Sequence, residues 1–112
     1  AGLMGRGDVL VAFSGSGESE NVLRAVEVAR GRGGITIGFS GLGGGQLSRQ
    51  VDVPVMVPND CMEQIEDVHL VLCHLVCTVL RERLRRIEPP ASLMLGLVGR
   101  PHLVSVPERR GW

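Results

Sequence analysis

The chain has 112 residues, with 12 Lys+Arg against 12 Asp+Glu, 44% hydrophobic and 21% charged residues, a balance that excludes a disordered polymer and fits one globular domain or part of one. Zero formal net charge leaves no overall field to draw the chain to nucleic acid or an anionic membrane, although Arg81, Arg83, Arg85 and Arg86 form a local basic patch. Cys61, Cys73 and Cys77 lack a C-x-x-C spacing, which suits a reduced, cytoplasmic protein, and the apolar run 68–80 is broken by His69, His74 and Thr78 and is too short for a membrane span.

The continuous apolar run 8–13 predicts a buried parallel strand. It enters Ser14-Gly15-Ser16-Gly17-Glu18-Ser19, which opens a predicted helix over 19–31 with Val22, Ala25, Val26 and Ala29 at helical spacing. Glu18 and Glu20 suit its first turn, and Gly31 with Gly33-Gly34 ends it. A second strand is expected at 35–39, then a glycine loop at 40–45, a short helical piece at 46–50 and a third strand at 53–57. Pro54 favours an edge position for that third strand.

A long helix should follow from Met62 to about Ile87, with Asp60 as its N-cap and Ile65, Val68, Leu72, Leu75, Val76, Val79 and Leu80 on its inner surface. Leu70, Val71, Cys73 and Cys77 make it apolar on more than one side, so a second partner must cover it, most economically a helix bundle between subunits. Pro89-Pro90 ends the helix. The tail 88–112 holds an apolar patch at 93–98 and a candidate strand at 102–106, and has no assigned role.

Alternating strands and helices imply a parallel sheet with right-handed crossovers and ligands beyond the carboxyl ends of the strands. The fold class read here is α/β, a three-layer α/β/α flavodoxin-like parallel sheet. Because the sequence enters a strand almost at once and three parallel strands are marginal, further strands are expected upstream, and residues 1–87 read as the C-terminal part of a larger domain. Alone, such a chain is expected to fold poorly.

The strand-loop-helix junction at 13–20 is a candidate phosphate cradle. Glycines let the backbone approach an anion, a helix start offers unpaired N–H groups and partial positive charge, and serines add hydroxyls. A dinucleotide fingerprint fails because Glu20 occupies the third glycine position, and a P-loop fails because the loop has no lysine. A serine-rich helix cap without ligand is the competing reading.

Ser14-Gly15-Ser16-Gly17-Glu18-Ser19, then Gly34-Ile35-Thr36-Ile37-Gly38-Phe39-Ser40-Gly41 and Val51-Asp52-Val53-Pro54-Val55-Met56-Val57-Pro58, resemble the sugar isomerase (SIS) fold over roughly residues 6–86. Gln64-Ile65-Glu66-Asp67-Val68-His69 with His74 five residues on resembles the phosphoheptose isomerase branch. The resemblance implies phosphate binding by Ser14, Ser16 and Ser19, with Gly15 and Gly17 contributing backbone; Gly15 stands where the branch has threonine, and Glu18 where it has asparagine.

It further implies a catalytic His74, substrate contacts at Glu63 and Glu66 (where the branch has aspartate and glutamine), and aldose–ketose isomerisation of sedoheptulose 7-phosphate through an enediol. The partner base would be a glutamate upstream of this chain. His can both give and take a proton near neutral pH. His69 is read as structural.

Some members of the branch hold zinc at the positions of Glu66 and His74. Eight helical residues separate the two by about 12 Å along the axis and about 80° around it, so a complete site would draw on neighbouring subunits. A homotetramer is implied, with a phosphorylated sugar as ligand and neither nucleic acid nor membrane as partner. The rival readings are a non-catalytic SIS adaptor that binds the replication initiator, or another SIS phosphosugar-binding module.

Overall fold

The computed structural model describes residues 4–87. Its elements run β1 (Val9–Phe13), α1 (Glu20–Gly31), β2 (Ile35–Ser40), α2 (Gly45–Gln50), β3 (Val53–Met56) and α3 (Met62–Arg86). The three strands form one parallel sheet in the order β1-β2-β3, with Val9 paired to Ile35 and Ile37 to Val53. Pro54 lies opposite Gly38 on the terminal strand β3, where its missing N–H costs no ladder bond on the open side, as the sequence suggests. Three strands are present among the described residues; the further strands of a flavodoxin-like sheet are not among them.

Strand alternation divides the sheet into two unlike faces. Leu10 and Ala12 face α1 and α2 and join Val22, Leu23, Val26, Leu47 and Val51 in one core cluster. Gly38 makes this approach possible: a Cβ there would lie 2.9 Å from both Leu47 and Val51. On the other face Val9 is 52% exposed, and Val11, Ile35 and Val53 are also exposed. The expectation of a wholly buried β1 is therefore corrected. An apolar run marks a strand whose two faces could be covered, and the described residues supply a cover for one of them.

At the carboxyl end of the second face, α3 begins to close over the sheet. His69 packs edge-on to Phe13 and Phe39, whose rings stack at 4.7 Å. Ile65 is fully buried, and a Cβ on Gly41 would strike its side chain. Of the residues expected on the inner surface of α3, Ile65 is buried, whereas Val68, Leu75, Val76, Val79 and Leu80 are exposed; His69 is the second buried residue. Periodicity tells which side of a helix could be covered, and the sheet reaches only its first turns.

The helix ends follow local chemistry. After α1, Gly33 takes φ +77, and the amides of Gly33 and Gly34 donate to the carbonyls of Arg30 and Ala29, a double closure that a Cβ would strain. Val26 and Ala29 are buried as expected, but Ala25 is exposed. At the start of α3, the Cys61 amide donates to Asn59 Oδ1 at 2.7 Å, and the Ile65 amide donates to the Cys61 carbonyl. Asp60 is thus not the N-cap: Cys61 occupies that position, and the polar side chain that serves the turn is Asn59.

Ala1–Cys77 and Thr78–Trp112 form two compact units. The first holds the sheet, α1, α2 and α3 as far as Cys77; within the second, Glu82 and Arg86 pair at 3.3 Å along the last turns of α3. The apolar patch at 93–98 and the candidate strand at 102–106 lie outside the described residues.

Candidate functional site

The turn between β1 and α1 continues the sheet before it leaves it. The Ser14 amide donates to the Phe39 carbonyl and the Gly41 amide to the Gly15 carbonyl, each at 2.9 Å. The chain then folds on itself around the Ser14 hydroxyl. That oxygen, in a residue only 5% exposed, accepts from the Gly17 amide at 3.1 Å and the Ser19 amide at 3.4 Å, and donates to Ser19 Oγ at 3.0 Å. Ser16 Oγ accepts from the Glu18 amide at 3.1 Å.

Three loop amides are thereby held by the loop's own hydroxyls. The amides of Gly15 and Ser16 take no hydrogen bond among the described residues. Such a set of N–H groups at the start of a helix suits an anion, whose oxygens would replace or join the hydroxyl acceptors. Ser19 is the N-cap of α1, yet its side chain makes no capping bond, which leaves its hydroxyl to the loop. Ser14 is the interior support of the turn, while Ser16 and Ser19 are partly exposed.

Gly17 is the glycine on which the shape of this turn depends. Gly17 has φ +70, and a Cβ on it would collide with the Gly44 carbonyl of the second glycine loop. A Cβ on Gly15 would strike Met62 Sδ, so the methionine that opens α3 fills the space that a side chain at Gly15 would need. The two loops are also bonded: the Leu47 amide donates to the Gly17 carbonyl at 3.0 Å.

Glu18 behaves otherwise than its sequence position suggests. Its carboxylate leaves α1 and receives the Gln46 backbone amide at 3.0 Å and the Gln46 side-chain amide at 2.8 Å. Glu20 stays in the first turn of α1 and pairs with Arg24. Sequence reasoning missed the Glu18–Gln46 bridge; no periodic signal links positions so far apart.

Beside the turn lies a cleft of about 380 Å³ lined by Phe13, Gly15, Glu66, His69, Leu70 and Cys73. It brings together one backbone position of the turn and one proposed substrate contact, Glu66. The buried imidazole that borders it is His69, whose Nε2 lies 2.9 Å from the Ser40 carbonyl. His74 is exposed on α3 and does not line this cleft among the described residues. Glu63 is exposed; its own backbone amide and the Cys61 thiol, at 3.3 Å, hold its carboxyl below the usual range.

No group of three or more His, Cys, Asp or Glu side chains among the described residues is placed to hold a metal ion. Glu66 and His74, eight positions apart on α3, do not fit one ion by themselves, since each ligand must lie about 2 Å from it.

An α/β sheet with a hydroxyl-lined, amide-rich turn at the carboxyl end of its first described strand defines the class of domain. The chain belongs to the SIS domain family, whose model matches residues 1–66. It is phosphoheptose isomerase-like. It is 43% identical to the phosphoheptose isomerase of a Nitratiruptor species over 81 residues, 72% of this chain and 43% of that protein. With the phosphoheptose isomerase of Rhodospirillum rubrum it shares 44% identity over 78 residues, 70% of this chain and 42% of the relative.

Among solved structures, a phosphoheptose isomerase from Francisella tularensis superposes with a TM-score of 0.69 at 31% identity, over 71% of this chain and 45% of that one. One from Neisseria gonorrhoeae gives the same TM-score at 35% identity, with the same coverage of both chains. The chain thus spans less than half the length of these relatives. No helix among the described residues is long and apolar enough to cross a membrane.

Proposed function

We propose that this chain is the phosphate-binding part of a cytoplasmic phosphosugar isomerase that interconverts sedoheptulose 7-phosphate and D-glycero-D-manno-heptose 7-phosphate. The observation that carries the reading is the β1–α1 turn, in which the amides of Gly15 and Ser16 take no hydrogen bond among the described residues and those of Glu18 and Ser19 rest on exchangeable serine hydroxyls, while the Gly17 amide is shared between the hydroxyl and the carbonyl of Ser14. A sugar phosphate would set its phosphoryl oxygens against these amides, with Ser16 and Ser19 as hydroxyl donors and Ser14 beneath. Glu63 and Glu66 would meet the sugar.

His74 would move a proton between adjacent carbons through an enediol, with a second acid–base group from outside residues 4–87. A site shared between subunits agrees with the exposure of His74 and with the exposed apolar residues around it on α3, Leu70, Val71 and Leu75. That assembly would be a homotetramer. We assign no step to zinc: any ion at Glu66 or His74 would need further ligands from neighbouring subunits.

Titration calorimetry with sedoheptulose 7-phosphate tests the reading. Binding that Ser16→Ala weakens by roughly tenfold, equivalent to one charge-assisted hydrogen bond, is expected. The absence of heat with the folded protein would overturn it.

A further inference from the structure

The turn reaches another element through a side chain at Glu18, which bridges to Gln46. α2 begins at Gly45, and its N-cap is Gly44, at φ 88, which has no side chain to cap the helix. The Gln46 amide is one of the donors that a helix start leaves unpaired. Glu18 Oε1 receives it at 3.0 Å, and Glu18 Oε2 receives the Gln46 side-chain amide at 2.8 Å. The cap of α2 is therefore delivered by a residue of the phosphate turn.

The bridge does not stand alone. Next to it the Leu47 amide bonds the Gly17 carbonyl, and a Cβ on Gly45 would lie 2.6 Å from the Ser16 carbonyl, so Ser16, Gly17 and Glu18 are each pressed against or bonded to the start of α2. Leu47 anchors that helix in the core, with no exposure to solvent. The turn is thereby referred to a fixed point of the fold through the one acidic residue in it.

The charge of Glu18 makes this consequential. A carboxylate inside an anion-binding turn opposes binding by like-charge repulsion, yet both oxygens of this one are given to amide donors on α2. We propose that Glu18 is a positioning residue of the turn: acting through Gln46, it fixes the backbone of Ser16 to Ser19 in the conformation of the turn and commits its own charge to the start of α2. This rests on the phosphate-binding reading above.

Glu18→Ala decides between positioning and repulsion by the sign of its effect. Inorganic phosphate, titrated into the 112-residue protein and followed by the amide resonances of Gly15 to Ser19, is the probe. Positioning predicts that Glu18→Ala weakens phosphate binding roughly fivefold although a negative charge has been removed, the worth of about one hydrogen bond. Glu18→Gln, which keeps an acceptor for the Gln46 amide, should recover most of that loss, and Glu18→Ala with Gln46→Ala should bind no worse than Glu18→Ala alone.

Unchanged or tighter binding in Glu18→Ala overturns the proposal. Hydrogen exchange of the Gln46 amide in ligand-free protein gives a second reading that needs no phosphate: it should quicken about fivefold in Glu18→Ala, and an unchanged rate overturns the bridge. If the wild-type protein takes up no phosphate while the exchange behaves as expected, the functional reading falls and the bridge between turn and helix stands. If Glu18→Ala does not fold, Glu18→Gln and Gln46→Ala are compared by the same two measurements.

Discussion

His69 Nε2 lies 2.9 Å from the carbonyl oxygen of Ser40, tying α3 to the last residue of β2. A carbonyl can only accept, so Nε2 carries the proton in this contact. The same oxygen accepts the Val57 amide at 2.9 Å, so one peptide group binds the second strand both to the long helix and to the segment leaving β3. The ring also meets both stacked phenylalanines. His69→Phe should keep the packing and cost about 1 kcal/mol through the lost bond, whereas His69→Ala should cost roughly 3 kcal/mol or more. Urea denaturation of the two variants measures the difference, and equal costs would show that the bond, and not the packing of the ring, holds α3.

The side chain of Ser40 gives a converse expectation. Its hydroxyl is the buried side-chain polar atom without a hydrogen-bond partner among the described residues. Leaving such a group unsatisfied costs about 1–3 kcal/mol, and removing it relieves that cost. Ser40→Ala should therefore raise the melting temperature or leave it unchanged; a clear fall would mean that the hydroxyl has a partner in solution.

Ser14 and Ser16 should separate stability from binding. Ser14 Oγ organises the turn from inside, holding two amides and the Ser19 hydroxyl, whereas Ser16 Oγ holds one amide at a partly exposed position. Ser14→Ala should lower stability by about 1–2 kcal/mol and weaken sugar phosphate binding as well. Ser16→Ala should weaken binding with stability changed by less than about 0.5 kcal/mol. Thermal melts paired with calorimetry test this, and two variants with the same profile would remove the distinction.

What could be read in the sequence was local, and what could not be read was relational. Hydrophobic spacing and glycine punctuation place six elements with ends close to those observed: the strand expected at 35–39 runs from Ile35 to Ser40, and the long helix starts at Met62. The serine and glycine turn is equally legible, because Ser14 to Ser19 carry its chemistry in one stretch. Glu18 bonding Gln46 and His69 bonding Ser40 were not legible, since each joins residues nearly thirty positions apart that only the packed sheet brings together. The cover over α3 is not legible for the same reason: Leu75 and Leu80 have the right period and are exposed among the described residues.

Gly17 should be among the least replaceable residues of the turn. Its φ of +70 disfavours any side chain, and a Cβ would be driven into the Gly44 carbonyl, which is backbone and cannot rotate away. Gly17→Ala should cost about 2 kcal/mol or more and part the two glycine loops. A variant with wild-type stability and an unchanged Leu47 amide exchange rate would show that the loops are not held together as the bond from Leu47 to Gly17 implies.

Asp52 joins the start of β3 to β2 at the opposite end of the sheet. Its carboxylate receives the Thr36 amide at 2.8 Å and the Thr36 hydroxyl at 2.9 Å, and the Asp52 amide donates back to that hydroxyl at 3.0 Å. These bonds, first the backbone amide and then the hydroxyl, hold the Asp52 carboxyl below its usual value, with a smaller contribution from Arg30. A folded-state pKa below the unfolded one means that the native state binds fewer protons, so stability rises with pH in that range. The contribution is complete above the ordinary carboxylate pKa of about 4 and is lost as pH falls through the lower folded value. Denaturation midpoints measured from pH 7 down to pH 2 should therefore fall more gently for Asp52→Asn than for the wild type, with the two curves converging at the acid end. Parallel curves would assign the acid sensitivity to other carboxylates, of which Glu63, also held low by its own amide and the Cys61 thiol, is the next to replace.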